Sequence, residues 1–410
     1  MRLVPALVLA FVALAAPAFA IDASSLDGKV LTGYQGWFRC PGDGSGSGFE
    51  RGYLSHNGPK GPDRDKPGTR QWGIDMWPDT SDMDTSSLCP VEGKTKNGKK
   101  LQLFTAFAPA TQQTHFRWMR EHAIDGVLFQ RFLYRLKHDY AEKDRVLQNI
   151  IGAARDNDRV FAIEYDVTDY KGDVFEALKS DWTRLNDQYA ITRAKGYQHH
   201  RGKPVVSLWG FGFGDGRHID DPDKAMAIID WFKAQGLTVM GGVPGHWNTL
   251  GDGSVKDPRW VKVYAAFDIV QPWSVGRYQT RAEFAQWAAR QYPGDVATTR
   301  RDGQDYMPVI YPGFSWKNNR PQAKLNQIPR EGGDFLWQQA VAAKKAGAKM
   351  VKVAMFDEVN EATAIFKVAA TRDQTPEDGE WVTLDADGKA LPGDYYLTLT
   401  GRIGALFKEP

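Results

Sequence analysis

Short apolar runs along this chain alternate with longer stretches of helical periodicity. The first run, 29–35, ends in polar and aromatic residues, and similar runs recur at 126–131, 159–166, 203–209, 237–242, 267–271, 307–311 and 349–355. Runs this short, rich in Val, Ile and Phe and punctuated by Gly, Pro or Asp, read as buried strands. Between them, residues 110–124 place Phe116, Met119 and Ile124, with Trp118 nearby, on one helical side. Further helices are expected at 142–155, 174–189, 281–291, 334–345 and 394–407, the last with Asp394 as its cap. Another starts at Asp221-Pro222, with Asp as N-cap and Pro in the first helical position. Eight strands, most followed by a helix, predict an α/β fold: a (β/α)8 TIM barrel with extended βα loops, formed by 21–410 as one domain. An open doubly wound sheet fits less well, since no dinucleotide glycine fingerprint follows the first strand. A ninth run, 101–104, belongs to a long excursion after the first strand. Near the C terminus, Asp385-Ala386-Asp387-Gly388 begins like a calcium loop without the remaining ligands, and a hairpin turn is expected there.

The excursion opens with a glycine-rich segment, 40–48, and extends past Trp77. It lacks the Gly-Lys-Ser/Thr ending of a phosphate loop and no helix starts promptly, which excludes that reading. Irregular loops of this length inside a compact domain are usually functional, and Trp72, Asp75 and Trp77 are placed to wall a cleft. Charge narrows the partners: 52 basic against 50 acidic side chains leaves no excess for a nucleic-acid backbone. Residues 1–20 read as a signal peptide, with Arg2, an apolar run and Ala18-Phe19-Ala20 before the cleavage point. The apolar run is too short for a membrane anchor. The mature chain is expected in the periplasm or secreted, where its only cysteines, Cys40 and Cys89, are expected to pair.

In a barrel, the carboxyl ends of the strands converge on one face. Those ends carry Tyr34, Gln35 and Trp37; Gln130 and Arg131; Glu164 and Asp166; Trp209 and Phe211; His246 and Trp247; Gln271 and Trp273; Tyr311, Phe314 and Trp316; and Asp357, Glu358, Asn360 and Glu361. Planar amides, aromatics and carboxylates are what a sugar site needs: bidentate partners for vicinal hydroxyls, platforms for C–H faces and acids for the scissile bond. Blander roles stand beside these. Arg131 is as well placed to neutralise Asp166 or Glu164, Trp273 and Trp316 to pack the rim, and His246 to serve as a structural hydrogen-bonder. His199-His200 lies at the amino end of a strand and reads as surface. At 357–361, paired glutamates suit acid/base work, while Asp357 as a helix N-cap is the alternative.

Four segments resemble a known group. Leu31-Thr32-Gly33-Tyr34-Gln35-Gly36-Trp37-Phe38, Asp75-Met76-Trp77-Pro78-Asp79, His115–Met119 leading to Gly126–Phe132, and Phe356-Asp357-Glu358-Val359-Asn360-Glu361-Ala362-Thr363 are similar to the glycoside hydrolase family 71/99-like proteins, close to the family 99 endo-α-mannosidases. The resemblance spans nearly the whole mature chain. It implies retaining hydrolysis of α-mannosides through a 1,2-anhydro sugar, with Glu358 as base on the sugar's own 2-hydroxyl and Glu361 as acid, then base. Oligo- or polysaccharide would be the substrate, and neither metal nor other cofactor is called for. Val359-Asn360 stand where family 99 carries an aromatic pair, and family 71 α-1,3-glucanases share a comparable acidic pair. An inverting α-glucanase and a non-catalytic glycan-binding protein therefore stand as alternatives.

Overall fold

A computed structural model describes residues 21–57 and 66–409; the signal-peptide reading of 1–20 lies outside them. Eight parallel strands form the core: β1 (Val30–Tyr34), β2 (Gly126–Phe132), β3 (Val160–Asp166), β4 (Lys203–Trp209), β5 (Thr238–Pro244), β6 (Ile269–Trp273), β7 (Asp305–Tyr306 and Val309–Ile310) and β8 (Val351–Val353). Neighbours pair in sequence order, and β1 also pairs with β8. β7 closes the ring in two pieces. Asp305 and Tyr306 register with Ile269 and Val270 of β6, while Val309 and Ile310 register with Lys352 and Val353 of β8. Pro308, which has no N–H, marks the break between the pieces. The eight-strand barrel expected from the periodicity is the fold observed.

Helices α1 (Pro109–Glu121), α2 (Leu133–Asn157), α3 (Val174–Tyr189), α4 (Pro222–Ala234), α5 (Trp260–Ala266), α6 (Arg281–Arg301), α7 (Asp334–Lys345) and α8 (Tyr395–Lys408) follow the strands. No described helix is long and apolar enough to cross a membrane. Asp221 caps α4 as anticipated, accepting from the N–H groups of Asp223 and Lys224. Asp394 occupies the N-cap of α8 but makes no side-chain cap bond. The segment 381–391 turns at Asp385–Gly388 without paired strands on either side, so the expected hairpin is not formed. His200 is not a surface residue: it is buried, with one ring nitrogen on the Leu26 N–H and the other on Asp305.

The excursion after β1 contains an antiparallel hairpin, Leu88–Lys94 with Lys100–Phe104. Cys40 and Cys89 form a disulfide, with Cα atoms 6.2 Å apart, that ties the glycine-rich segment to this hairpin. Trp72, Trp77 and Trp381 meet edge-to-face, with centroids 5.2 to 5.6 Å apart. Trp72 and Trp77 are buried in this cluster and pack the excursion; Trp77 also edges a small pocket with Pro78 and Thr95, away from the end of β8.

Candidate active site

Strand alternation decides which tip residues face the barrel axis, because neighbours along a strand point to opposite faces. Gln130 and Glu164 point inward. The Glu164 carboxylate accepts from Lys352 of β8 at 2.6 Å, Ser207 of β4 at 2.9 Å and Gln130 at 3.1 Å. Lys352 also donates to Gln271 at 3.1 Å, and the Gln271 amide lies 2.9 Å from the Met240 sulfur. This layer fills the barrel interior with a paired, hydrogen-bonded charge, the form in which buried charge is tolerated. Arg131, one residue after Gln130, points outward. It is fully buried between α2 and α3, donating to both oxygens of Asp181 at 2.8 Å and to Asp144 at 3.2 Å. The expectation that Arg131 meets a ligand, or neutralises Asp166 or Glu164, is therefore corrected.

Two tyrosines are corrected for the same reason. Tyr34 is fully buried, its hydroxyl 2.9 Å from His115 Nδ1 on α1. Tyr311 is fully buried and donates to the Tyr278 carbonyl at 2.5 Å. Burial also withdraws Gln271, which lies within the interior layer. His246 turns aside to bond Gln291 of α6 at 2.8 Å. Trp209 and Trp273 remain half-buried at the mouth, edge to face at 5.3 Å, with Phe213 and His218 against Trp209. Asp166 is buried nearby. Loss of solvent pushes its carboxyl up to about 7, against bonds from Thr168 that favour the charged form.

The loop after β8 is where polar groups open outward. Asp357 does not cap a helix, because the chain turns irregularly after it. Its two oxygens accept from the N–H groups of Gln35 and Gly36 at 2.8 and 2.9 Å, joining β8 to β1. Both oxygens of Glu358 are also engaged, by Gln35 Nε2 at 2.9 Å and Thr363 Oγ1 at 2.8 Å. The Val359 carbonyl accepts from the N–H groups of Asp75 and Met76. Arg330, buried, donates to the carbonyls of Ala362 and Ala364 at 2.8 and 2.6 Å. Asp75 braces the neighbouring loop, accepting from Ser315 Oγ at 2.5 Å and from the N–H groups of Lys317 and Asn318 at 2.8 Å.

A cleft of about 420 Å³ opens above this loop. Asn360 and Glu361 form its floor, with aromatic walls from Trp37, Tyr134 and Trp316. Trp37 stacks on Phe132 at 5.4 Å. Glu358 sits behind Glu361, 7% exposed. Glu361 carries the less supported carboxyl, with no side-chain hydrogen bond among the described residues. Burial, then the Asp75 carboxylate, raises it to about 7. Glu358 is raised well above its ordinary range by burial first and by Glu361 second, against the two donors that favour its ionised form. Of the tip residues named from sequence, Gln35, Trp37, Glu358, Asn360, Glu361 and Trp316 are brought together here. Thr363 was given no role from sequence, and the cleft-lining His56, Asn57, Tyr134, Arg135, Asn319 and Arg320 were not anticipated; Tyr134 and Arg135 stand just past the tip of β2, and Asn319 and Arg320 just past Trp316.

Comparison with solved structures decides the fold family. A GH99 endo-α-mannosidase from Bacteroides thetaiotaomicron superposes with a TM-score of 0.65 at 14% identity, covering 94% of this chain and 98% of that one. The chain has a family 99-like fold. The same enzyme in complex with bis-tris-propane gives a TM-score of 0.64, again at 14% identity and with the same coverage. A structure described as a glycoside hydrolase-like protein gives 0.57 at 16% identity, covering 95% of this chain and 97% of that one. No family model and no curated protein matches the sequence.

Proposed function

We propose that the protein is an exported glycoside hydrolase of α-linked glycans, foremost α-mannosides, with Glu358 as base and Glu361 as acid and then base. The observation that carries this reading is the difference between two carboxyls in one loop. Both Glu358 oxygens are held as acceptors by Gln35 and Thr363. Burial raises both carboxyls and the charge of Glu361 raises Glu358 further, so the pair favours holding one proton between them. The donors on Glu358 favour the charge there and leave the proton on Glu361, which opens to the cleft as a general acid. The fold shared with an endo-α-mannosidase over 94% of the chain supports the α-mannoside assignment.

In the first step Glu358 takes the proton of the sugar 2-hydroxyl while that oxygen attacks the anomeric carbon. The glycosidic bond breaks and Glu361 gives its proton to the leaving oxygen, leaving a 1,2-anhydro sugar. In the second step Glu361 takes a proton from water, which attacks the anomeric carbon and opens the ring. Glu358 returns its proton to the 2-oxygen. Two inversions give net retention, and both glutamates end as they began. Trp37 and Trp316 offer apolar faces to the sugars on either side of Glu361.

The test is turnover by the purified mature protein on a panel of α-mannans and α-glucans, with proton NMR of the first-formed anomer. Hydrolysis of an α-mannan with retention is expected. Inversion, or cleavage of α-glucan alone, overturns the anhydro-sugar route. Binding without turnover on every member of the panel overturns the enzyme reading.

A further inference from the structure

The cleft carries more positive charge than a neutral sugar requires. Arg51, Arg135, Lys143, Arg217 and Arg320 line it, against the carboxylates of Glu142 and Glu361. Arg51 is answered by Glu142 at 3.1 Å and Arg217 by Asp169 at 2.7 Å. Glu142 is shared again with the buried Arg39. Among the described residues, Arg135, Arg320 and Lys143 form no ion pair within 4.0 Å.

Each of the two free arginines rests on an aromatic face instead. The Arg320 guanidinium carbon lies 4.3 Å from the centre of the Trp316 ring, and that of Arg135 lies 4.9 Å from the Tyr134 ring. A guanidinium held over a ring keeps its N–H fork for a second partner, and that fork matches the oxygens of a phosphate, sulfate or carboxylate. Among the described residues, Lys143, buried beneath the cleft, has the Gln35 carbonyl at 3.4 Å as its one hydrogen-bond acceptor. Burial lowers its ammonium to about 7, so the firm charges of the wall are the arginines. Arg135 acts on the surrounding groups: after burial, its charge helps hold down the imidazole of His56, and it is a smaller contributor at Lys143. The groups acting on Glu361 are different ones, burial and Asp75. Arg135, Arg320 and Glu361 line the same cleft.

We propose that the natural substrate is an anionic glycan, whose phosphate, sulfate or uronate oxygens are received by Arg135 and Arg320 on the cleft wall. The proposal rests on the glycan reading of the cleft and adds the charge of its ligand.

Calorimetry with the Glu361→Gln protein separates binding from turnover. The ligands are a neutral α-mannotetraose, the same sugar bearing a phosphate monoester or a sulfate ester, and one ending in a uronate. At low salt at least one charged ligand is expected to bind about tenfold or more tightly than the neutral one, as one or two charge-assisted contacts give. That advantage should shrink in about 0.5 M NaCl, where screening shortens the reach of exposed charges. Arg135→Gln with Arg320→Gln should bring the ratio toward one, and the salt series on the parent protein reads the same point without these variants. The strongest of the three charged ligands identifies the substituent. Equal affinity for neutral and charged sugars, a preference indifferent to salt and to both substitutions, or no binding by any of them overturns the proposal. Wild-type turnover of neutral mannan is measured separately: turnover without charge preference removes only this inference, and charge preference without turnover removes only the hydrolase reading.

Discussion

The two sides of the barrel mouth were built from the same kinds of residue and ended differently. At the tips of β4 and β6, Trp209 and Trp273 meet each other edge to face, and Trp209 also meets Phe213 and His218. That side fills its own space. At β8 and β1, the excursion and the 315–318 loop brace the chain from outside through Asp75 and Val359. Backbone demands are met there by dedicated partners, so Glu361 and Asn360 are left to face a cleft. A strand tip gives a side chain access to the mouth, and the loops around it decide whether that access is used. Loops are where function is commonly carried on a rigid scaffold.

The largest break in the comparison is expected at Glu361. Glu361→Gln should lower kcat by about 10²–10⁴-fold, the usual worth of a general acid, and leave the thermal midpoint near that of the parent. A residual rate within a few-fold of wild type would remove Glu361 from the chemistry. Arg131→Met tests the opposite kind of residue. It leaves Asp181 and Asp144 buried with less positive charge, and breaking such a pair costs about 3–5 kcal/mol. Arg184 also reaches both carboxylates, which places the loss toward the low end. Urea unfolding should show that loss, with kcat per folded molecule retained; a fall in kcat without loss of stability would return Arg131 to the site.

What the sequence displayed of this arrangement depended on how local the signal was. The α4 start follows from Asp221 and Pro222, whose capping works within one turn. The bounds of β4, α3 and α7 were equally plain, since their apolar period changes abruptly at each end. α2 begins at Leu133, nine residues before the expected 142, on a first turn with no side-chain cap to announce it. α6 runs through Pro293 to Arg301 because Tyr292, Asp295 and Thr299 are buried beyond the point where proline would end an isolated helix. α5 gave too short a pattern to be recognised. At the site, the acidic pair was legible because both members share one loop. The inward Gln130 and outward Arg131 were separable by alternation alone, and placing both at the mouth overlooked it. Thr363, Arg135 and Arg320 each contact a near neighbour in sequence, Glu358, Tyr134 and Trp316, but only the fold turns those pairs toward one cleft.

Asp75 links the two scales, since its charge is felt at Glu361 and its hydrogen bonds hold the Trp316 loop. The acid must be protonated to act, so kcat/KM is expected to be present below the Glu361 pKa and lost as pH rises through about 7. The apparent value belongs to the glutamate pair. Asp75→Asn removes a negative charge that raises Glu361, so the alkaline limb should move to lower pH. A limb that stays in place would mean that Asp75 positions the loop without tuning the acid, or that another group sets the limb.

The smallest effect is expected on the filled side. His246 makes one ring hydrogen bond, to Gln291 Oε1 at 2.8 Å, and Gln291 keeps Asp295 and Asn248 as further partners. His246→Ala should therefore lower stability by about 1 kcal/mol, the net worth of an ordinary side-chain hydrogen bond. KM for an α-mannan should stay within about twofold, because a ring turned toward α6 adds no contact to the ligand and a loss below ~0.5 kcal/mol is less than a factor of three in affinity. Urea unfolding reads the first quantity and steady-state kinetics the second. A KM raised about tenfold with stability unchanged would show that glycan reaches across the mouth to β5. The division between a filled side and an open one would then fail at His246, where the side chain has the fewest internal commitments to hold it.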